Sequence, residues 1–189
     1  MSKSGKMPVE RRCEIVGVIL LGLSTLLFLA LVTDGYQMEG EARRYLDGMT
    51  ETPNLLGRPG AITAGVLAIL TGDAAHALYA IIFIWGLMLF THRPLDRLPT
   101  RLIGLILLTG SLAALLQIDM PSGLSNTQAG GAFGAFLADR VFVPQFGVIG
   151  ANVIGVTLFV IGLLLATDFL FVHVLIVANK LLIHLFRGN

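Results

Sequence analysis

The chain has 189 residues, of which 55% are hydrophobic and only 13% charged, with a mean hydropathy of +0.82, whereas soluble domains carry roughly 25% charged residues. This balance excludes a soluble enzyme and defines an all-α integral membrane protein, with room for four or five spans of about 20 residues and none for a separate soluble domain of ordinary size. A net charge of +1 gives the chain as a whole no basis for nucleic-acid binding. Its single cysteine, Cys13, excludes an internal disulfide and a CxxC redox pair.

Residues 1–12 form a basic N-terminus with Lys3, Lys6, Arg11 and Arg12. The first apolar run is too long for the core of a cleavable signal, and no A-x-A site closes it. Hydropathy therefore predicts a first span over 13–33. The next apolar stretch, 61–90, would run about 45 Å as one helix, against a hydrocarbon core of about 30 Å. A break is predicted at Gly72-Asp73, with glycine ending one helix and aspartate capping the next. That divides the stretch into a short outer helix over 61–71 and a second span over 74–90. The third span, 101–118, is plain. In the fourth region the same logic predicts a short helix over 131–143, a break at Pro144-Gln145-Phe146-Gly147, and a span over 148–167. Residues 13–171 thus form one transmembrane domain of two span–loop–short helix–span units.

The tail after Asp168 is apolar enough to suggest a fifth span. Asp168 alone is too short a connection for a reversal, and His173, Lys180, His184 and Arg187 share one helical face. Residues 172–189 are read as an amphipathic helix on the cytoplasmic membrane surface, with Lys180 and Arg187 toward lipid headgroups or toward a following domain. Lys and Arg number nine on the side of the N-terminus and four on the other, Arg43, Arg44, Arg58 and Arg140. By the positive-inside rule both termini are expected in the cytoplasm.

The two short helices share a sequence block. GRPGAITAGVLAILTG over 57–72 and GAFGAFLADRVFVPQFG over 131–147 align at a constant offset of 74, with one extra residue entering before Gly147. Small residues recur at helical spacing: Gly57, Gly60 and Ala64 in the first copy, and Gly130, Gly131, Gly134 and Ala138 in the second. Such faces let membrane helices approach closely, which is where contact free energy arises when burial from water supplies little. With the closing residues Gly72 and Gly147, they are the expected sites of helix packing or assembly, within one subunit or between neighbours. Asp139 and Arg140 interrupt an apolar helix, at a cost in lipid that places them at the outer interface or in a subunit contact. Together with Asp119 they are the expected outer-side contacts for partners.

Chemistry is sparse. There is no GxxxxGK[ST] loop to cradle nucleotide phosphates, and no Gly-x-Ser-x-Gly elbow. The histidines His76, His92, His173 and His184 do not form a facing set, so neither metal nor cofactor is expected. Asp73 and His76 lie three apart and read as a helix cap beside an interfacial histidine.

The order of these parts carries a resemblance. The blocks GRPGA..A..L....G at 57–72 and GGAFGAFLAD at 130–139, followed by FG..GA and LLLATDF, resemble the four-span N-terminal domain of FtsK/SpoIIIE-type bacterial DNA translocases. The similarity covers the chain from Glu14 to about Phe171. In that family the domain anchors a hexameric cytoplasmic motor at the division septum. The resemblance therefore implies a non-enzymatic anchor in the bacterial cytoplasmic membrane that self-associates, as a hexamer, and meets other cell-division proteins. DNA would be engaged only through a motor that these residues do not include. A small transporter or channel built from the duplicated two-span unit is the alternative reading. The broken helices favour it, and the parallel relation of the two halves weighs against it.

Overall fold

A computed structural model of the chain describes residues 9–33, 54–91, 98–118 and 129–167. The tail over 172–189, Asp119 and the histidines His92, His173 and His184 lie outside the described residues. All regular structure among the described residues is helical. In order it comprises α1 (Val9–Thr33), α2 (Gly57–Thr71), a 3₁₀ turn (Gly72–Ala75), α3 (His76–Phe90), α4 (Leu98–Ile118), α5 (Gly131–Ala135), a π-helical turn (Phe136–Phe142) and α6 (Val143–Thr167). Among the described residues, four segments are long and apolar enough to cross a membrane: Arg11–Thr33, Gly57–Phe90, Leu98–Ile118 and Gly131–Thr167.

Helix α1 starts at Val9 and α4 at Leu98, ahead of the expected Cys13 and Arg101, because the apolar run is not what limits a helix: charged residues continue it into the interface. Arg101, read from sequence as a cytoplasmic-side charge, is only 3% exposed, and its Nη1 donates to Met88 Sδ at 3.7 Å. The segments of 34 and 37 residues are each broken once. At Gly72 the backbone takes φ 57° and ψ −139°, and at Gly147 φ 67° and ψ 173°. These are extended positive-φ conformations that glycine alone adopts readily. The second break is narrower than the expected Pro144–Gly147, since only Gly147 leaves helical geometry. Asp73 also differs from expectation. The N-cap position of α3 is Ala75, which makes no side-chain cap bond, because the 3₁₀ turn runs directly into the helix.

Each half is a pair of spans packed along their length, α1 on α3 and α4 on α6. An added Cβ at Gly17 would lie 2.7 Å from the Phe90 amide nitrogen, and one at Gly86 would lie 2.9 Å from the Leu21 nitrogen. In the other half, Gly104 abuts Ala166 and Leu165, and a Cβ at Gly162 would lie 2.5 Å from the Leu108 nitrogen. Backbones this close gain dispersion contacts that larger side chains would prevent. The short helices α2 and α5 pack against each other and join the halves.

The matching contacts expose a duplication wider than the glycine block. Residues 17–24 and 104–111 share G-x-I-L-L-x-x-S, with Gly17, Leu21 and Ser24 matching Gly104, Leu108 and Ser111 at an offset of 87. Residues 83–91 and 159–167 share F-x-x-G-L-x-L-x-T at an offset of 76. Helix geometry accounts for the changing offset. The π turn closes its hydrogen-bonded rings over one more residue than an α turn, which absorbs the extra residue before Gly147. The 3₁₀ turn after Thr71 rises about 2.0 Å per residue rather than 1.5 Å, so the first half covers the same length with one residue fewer.

Candidate functional site

The small-residue faces are positioned from one polar anchor, Asn54. Its Nδ2 donates to the Ala30 carbonyl near the end of α1 (3.0 Å), while its Oδ1 accepts from the Leu56 amide (2.9 Å). Its carbonyl accepts from the Gly57 amide at 2.8 Å. Asn54 is 4% exposed, and these bonds fasten the start of α2 onto α1. Gly60 follows from this, since a Cβ there would run into Asn54 Oδ1 and the Leu56 side chain. Ala64, fully buried, packs with Ala30, Leu31 and Ala75. Sequence reasoning missed Asn54. Its signal was an amide residue three positions before the first helical glycine, where an Asx turn favours helix initiation.

In the second copy, Gly130 and Gly134 both sit on the Ala113 carbonyl of α4, with a Gly134 Cβ falling 2.5 Å from it. Gly131 faces the other half: a Cβ there would lie 2.6 Å from the Gly72 and Thr71 nitrogens. The Asp73 amide donates to the Ala129 carbonyl at 3.0 Å beside it. Ala138 is fully buried. Gly57 and Gly131 both have φ 63°, so the first and closing glycines of both copies are at positive φ. Around Gly57 and Gly147 a Cβ would meet nothing within 4 Å. Backbone conformation, not space, requires glycine at those two.

The structure thus brings Gly60, Ala64, Gly130, Gly131 and Gly134 into contacts within a single chain. Asp139 and Arg140 are exposed and apart from these contacts, whereas the exposed Asp73 joins them through its backbone amide. Far from the short helices the halves meet again. Trp85, 5% exposed, packs with Ile81, Leu108 and Ala166, and its Nε1–H donates to the Ala166 carbonyl at 2.7 Å. Ser24 Oγ donates to the Tyr79 carbonyl at 2.9 Å and ties α1 to α3. No group of three His, Cys, Asp or Glu side chains among the described residues is placed to hold a metal ion.

These features define a polytopic α-helical membrane domain made of two parallel two-span units, in which Ser24, Asn54 and Trp85 each hydrogen-bond across to another helix. The chain belongs to the FtsK/SpoIIIE family of DNA translocases: residues 10–179 match the 4TM region of DNA translocase FtsK/SpoIIIE. It is 34% identical over 161 residues to a DNA translocase FtsK of Bradyrhizobium diazoefficiens, covering 79% of this chain and 18% of the relative. It is 29% identical over 168 residues to the DNA translocase FtsK of Pseudomonas putida, covering 85% of this chain and 20% of that protein. A third DNA translocase FtsK, from Pseudomonas aeruginosa, is 28% identical over 187 residues, 94% of this chain and 23% of its own length. The chain therefore spans about a fifth of the length of the curated relatives it matches, and the matched part is their membrane region. No solved structure matches it. The four apolar segments and the family together make it an integral inner-membrane protein.

Proposed function

We propose that the chain is the membrane anchor and assembly module of a DNA translocase acting in cell division and chromosome segregation at the septum. The family match over residues 10–179 is the observation that carries this reading. The anchor has both termini in the cytoplasm, where the positive-inside rule puts the Lys-rich and Arg-rich segments. It performs no catalysis and engages DNA only through a motor domain. Self-association, as a hexamer by family analogy, is supported by Gly22 of α1. This residue is exposed, and nothing lies within 4 Å of where its Cβ would be. A lipid-facing glycine costs helix stability without return unless another helix closes on it. Asp139 and Arg140, exposed in the π turn between α5 and α6, are the proposed outer-side contacts for other division proteins.

Expression with a fluorescent protein at the C-terminus, one that fluoresces only in the cytoplasm, tests orientation and placement together. A bright band at mid-cell is expected. A dark fusion would refute the orientation, and an even membrane signal would refute the septal role. Light scattering of the purified protein in mild detergent tests assembly, and a strict monomer at high concentration would remove it.

A further inference from the structure

A groove of about 320 Å³ lies in the second half, between α4, α6 and the short helix with its π turn. One wall is Ile103, Ile106, Leu107 and Gly110 of α4, the i, i+3, i+4, i+7 face of that helix. The groove therefore runs parallel to α4 for about 10 Å at 1.5 Å per residue, in the direction of the bilayer normal. Phe133 and Leu137 of the short helix and Leu158 of α6 close the remaining sides. Phe142 joins them because Leu137 and Phe142 are five residues apart, one turn of π helix, which stacks both on one face. In a regular α-helix that spacing would turn Phe142 about 140° away from Leu137.

The lining asks for no polar ligand. Ser111 is its only hydroxyl-bearing side chain, and Ser111 Oγ donates back to the Leu107 and Leu108 carbonyls of its own helix at 2.7 and 3.1 Å. The groove opens onto lipid. Ile103 and Ile106 on its wall are 60% and 65% exposed, the most exposed large apolar side chains of α4. In a membrane-spanning helix these faces meet the hydrocarbon, so the groove is continuous with the lipid belt of the spans. We infer that this groove is a seat for one acyl chain of a membrane phospholipid, held along α4 beneath the π turn. A glycerophospholipid from the leaflet carrying the short helices fits its direction, its apolarity and its open side. A side chain from a second copy would have to enter from the same lipid-facing side, and nothing in the lining offers it a polar contact.

Native mass spectrometry of the full chain, washed in mild detergent, tests the assignment, with Ile106→Trp and Leu107→Trp filling the groove. The wild-type chain is expected to retain one phospholipid. A tryptophan in the groove takes the space of the chain, so both variants are expected to lose the retained lipid. A second readout does not depend on those variants folding. Phe133→Trp in a Trp85→Phe background places a single tryptophan at the groove, and Ile19→Trp, at a belt position 61% exposed, is its control. After reconstitution with phospholipid brominated on its acyl chains and dilution into excess detergent, quenching should persist at position 133 and vanish at position 19. Equal loss of quenching at both positions would overturn the proposal, as would a wild type that retains no lipid. Retention unchanged by the filling variants would do the same. Loss of oligomers in Ile106→Trp without any lipid in the wild type would assign the groove to a second copy instead.

Discussion

Glycines of this chain divide by what excludes a side chain, and substitutions should separate the classes. Gly134 is held by space, since its Cβ would fall 2.5 Å from the Ala113 carbonyl. Overpacking of this kind costs about 1–3 kcal/mol for small additions and more where only backbone can move. Gly134→Leu is therefore expected to lower the melting temperature in detergent sharply and to abolish a monodisperse peak on size exclusion. Gly147 is held by its φ of 67° and ψ of 173° in open surroundings. Gly147→Ala should cost about 1–3 kcal/mol from strain alone, with the protein still folded. Gly22 is held by neither. Gly22→Leu should leave the stability within about 0.5 kcal/mol of wild type and shift the protein toward monomer in light scattering. If Gly22→Leu kept the full oligomer, the contact would lie on another face. Trp85→Phe tests the link between the halves. Losing the Nε1–H to Ala166 bond should cost about 1 kcal/mol, the ordinary net worth of such a bond in a membrane protein.

At the scale of elements, the π turn over Phe136–Phe142 reconciles two copies that differ by one residue. If it absorbs that residue, deleting exposed Asp139 should convert it to regular α-helix and leave α5 and α6 where they are. Such a deletion is expected to preserve a folded, monodisperse protein. Removing Val66 from the regular α2 turns every later residue of that helix by about 100° and should abolish folding. Tolerance of both deletions, judged by thermal melting, would show that the π turn has no such role. Much of this was legible in the sequence. Apolar length exposed the two over-long segments, and the glycines at 72 and 147 marked their breaks, because no other residue takes that backbone geometry cheaply. What escaped was set by partners distant in sequence. Asn54 matters because Ala30 lies 24 residues away and offers a carbonyl. Trp85 reads as packing until Ala166, 81 residues on, is placed beside it. The wider repeat was hidden because the matching offset is 87 before the connection that follows the first span of each half and 74 after it, that connection differing by 13 residues between the halves. The π turn leaves no mark in hydropathy, only the one-residue slip before Gly147.

Among the described residues the molecule is two similar units, each with its own packed pair of spans, joined at two places. At one end Gly131 lies against the Gly72 backbone and the Asp73 amide donates to the Ala129 carbonyl. At the other Trp85 reaches Ala166. Between units the spans touch far less than within them, so most contact free energy is earned inside each half, as parallel duplication requires if each unit was once self-sufficient. The chain should therefore survive division between Leu95 and Asp96, in the connection between α3 and α4. Two co-expressed fragments, 1–95 and 96–189, are expected to insert independently and to co-purify when only one carries an affinity tag. The junction at Gly131 should decide whether they stay together. Its φ of 63° and a Cβ 2.6 Å from backbone nitrogens of the other half leave no room for alanine. Gly131→Ala in the second fragment should release the first fragment from the tagged complex while both remain in the membrane fraction. Trp85→Phe in the first fragment should weaken recovery only modestly, since it removes one hydrogen bond and keeps most of the ring packing. Fragments that hold together undiminished by Gly131→Ala would mean that the halves are joined by the spans, and the short helices would lose their role as the junction between them.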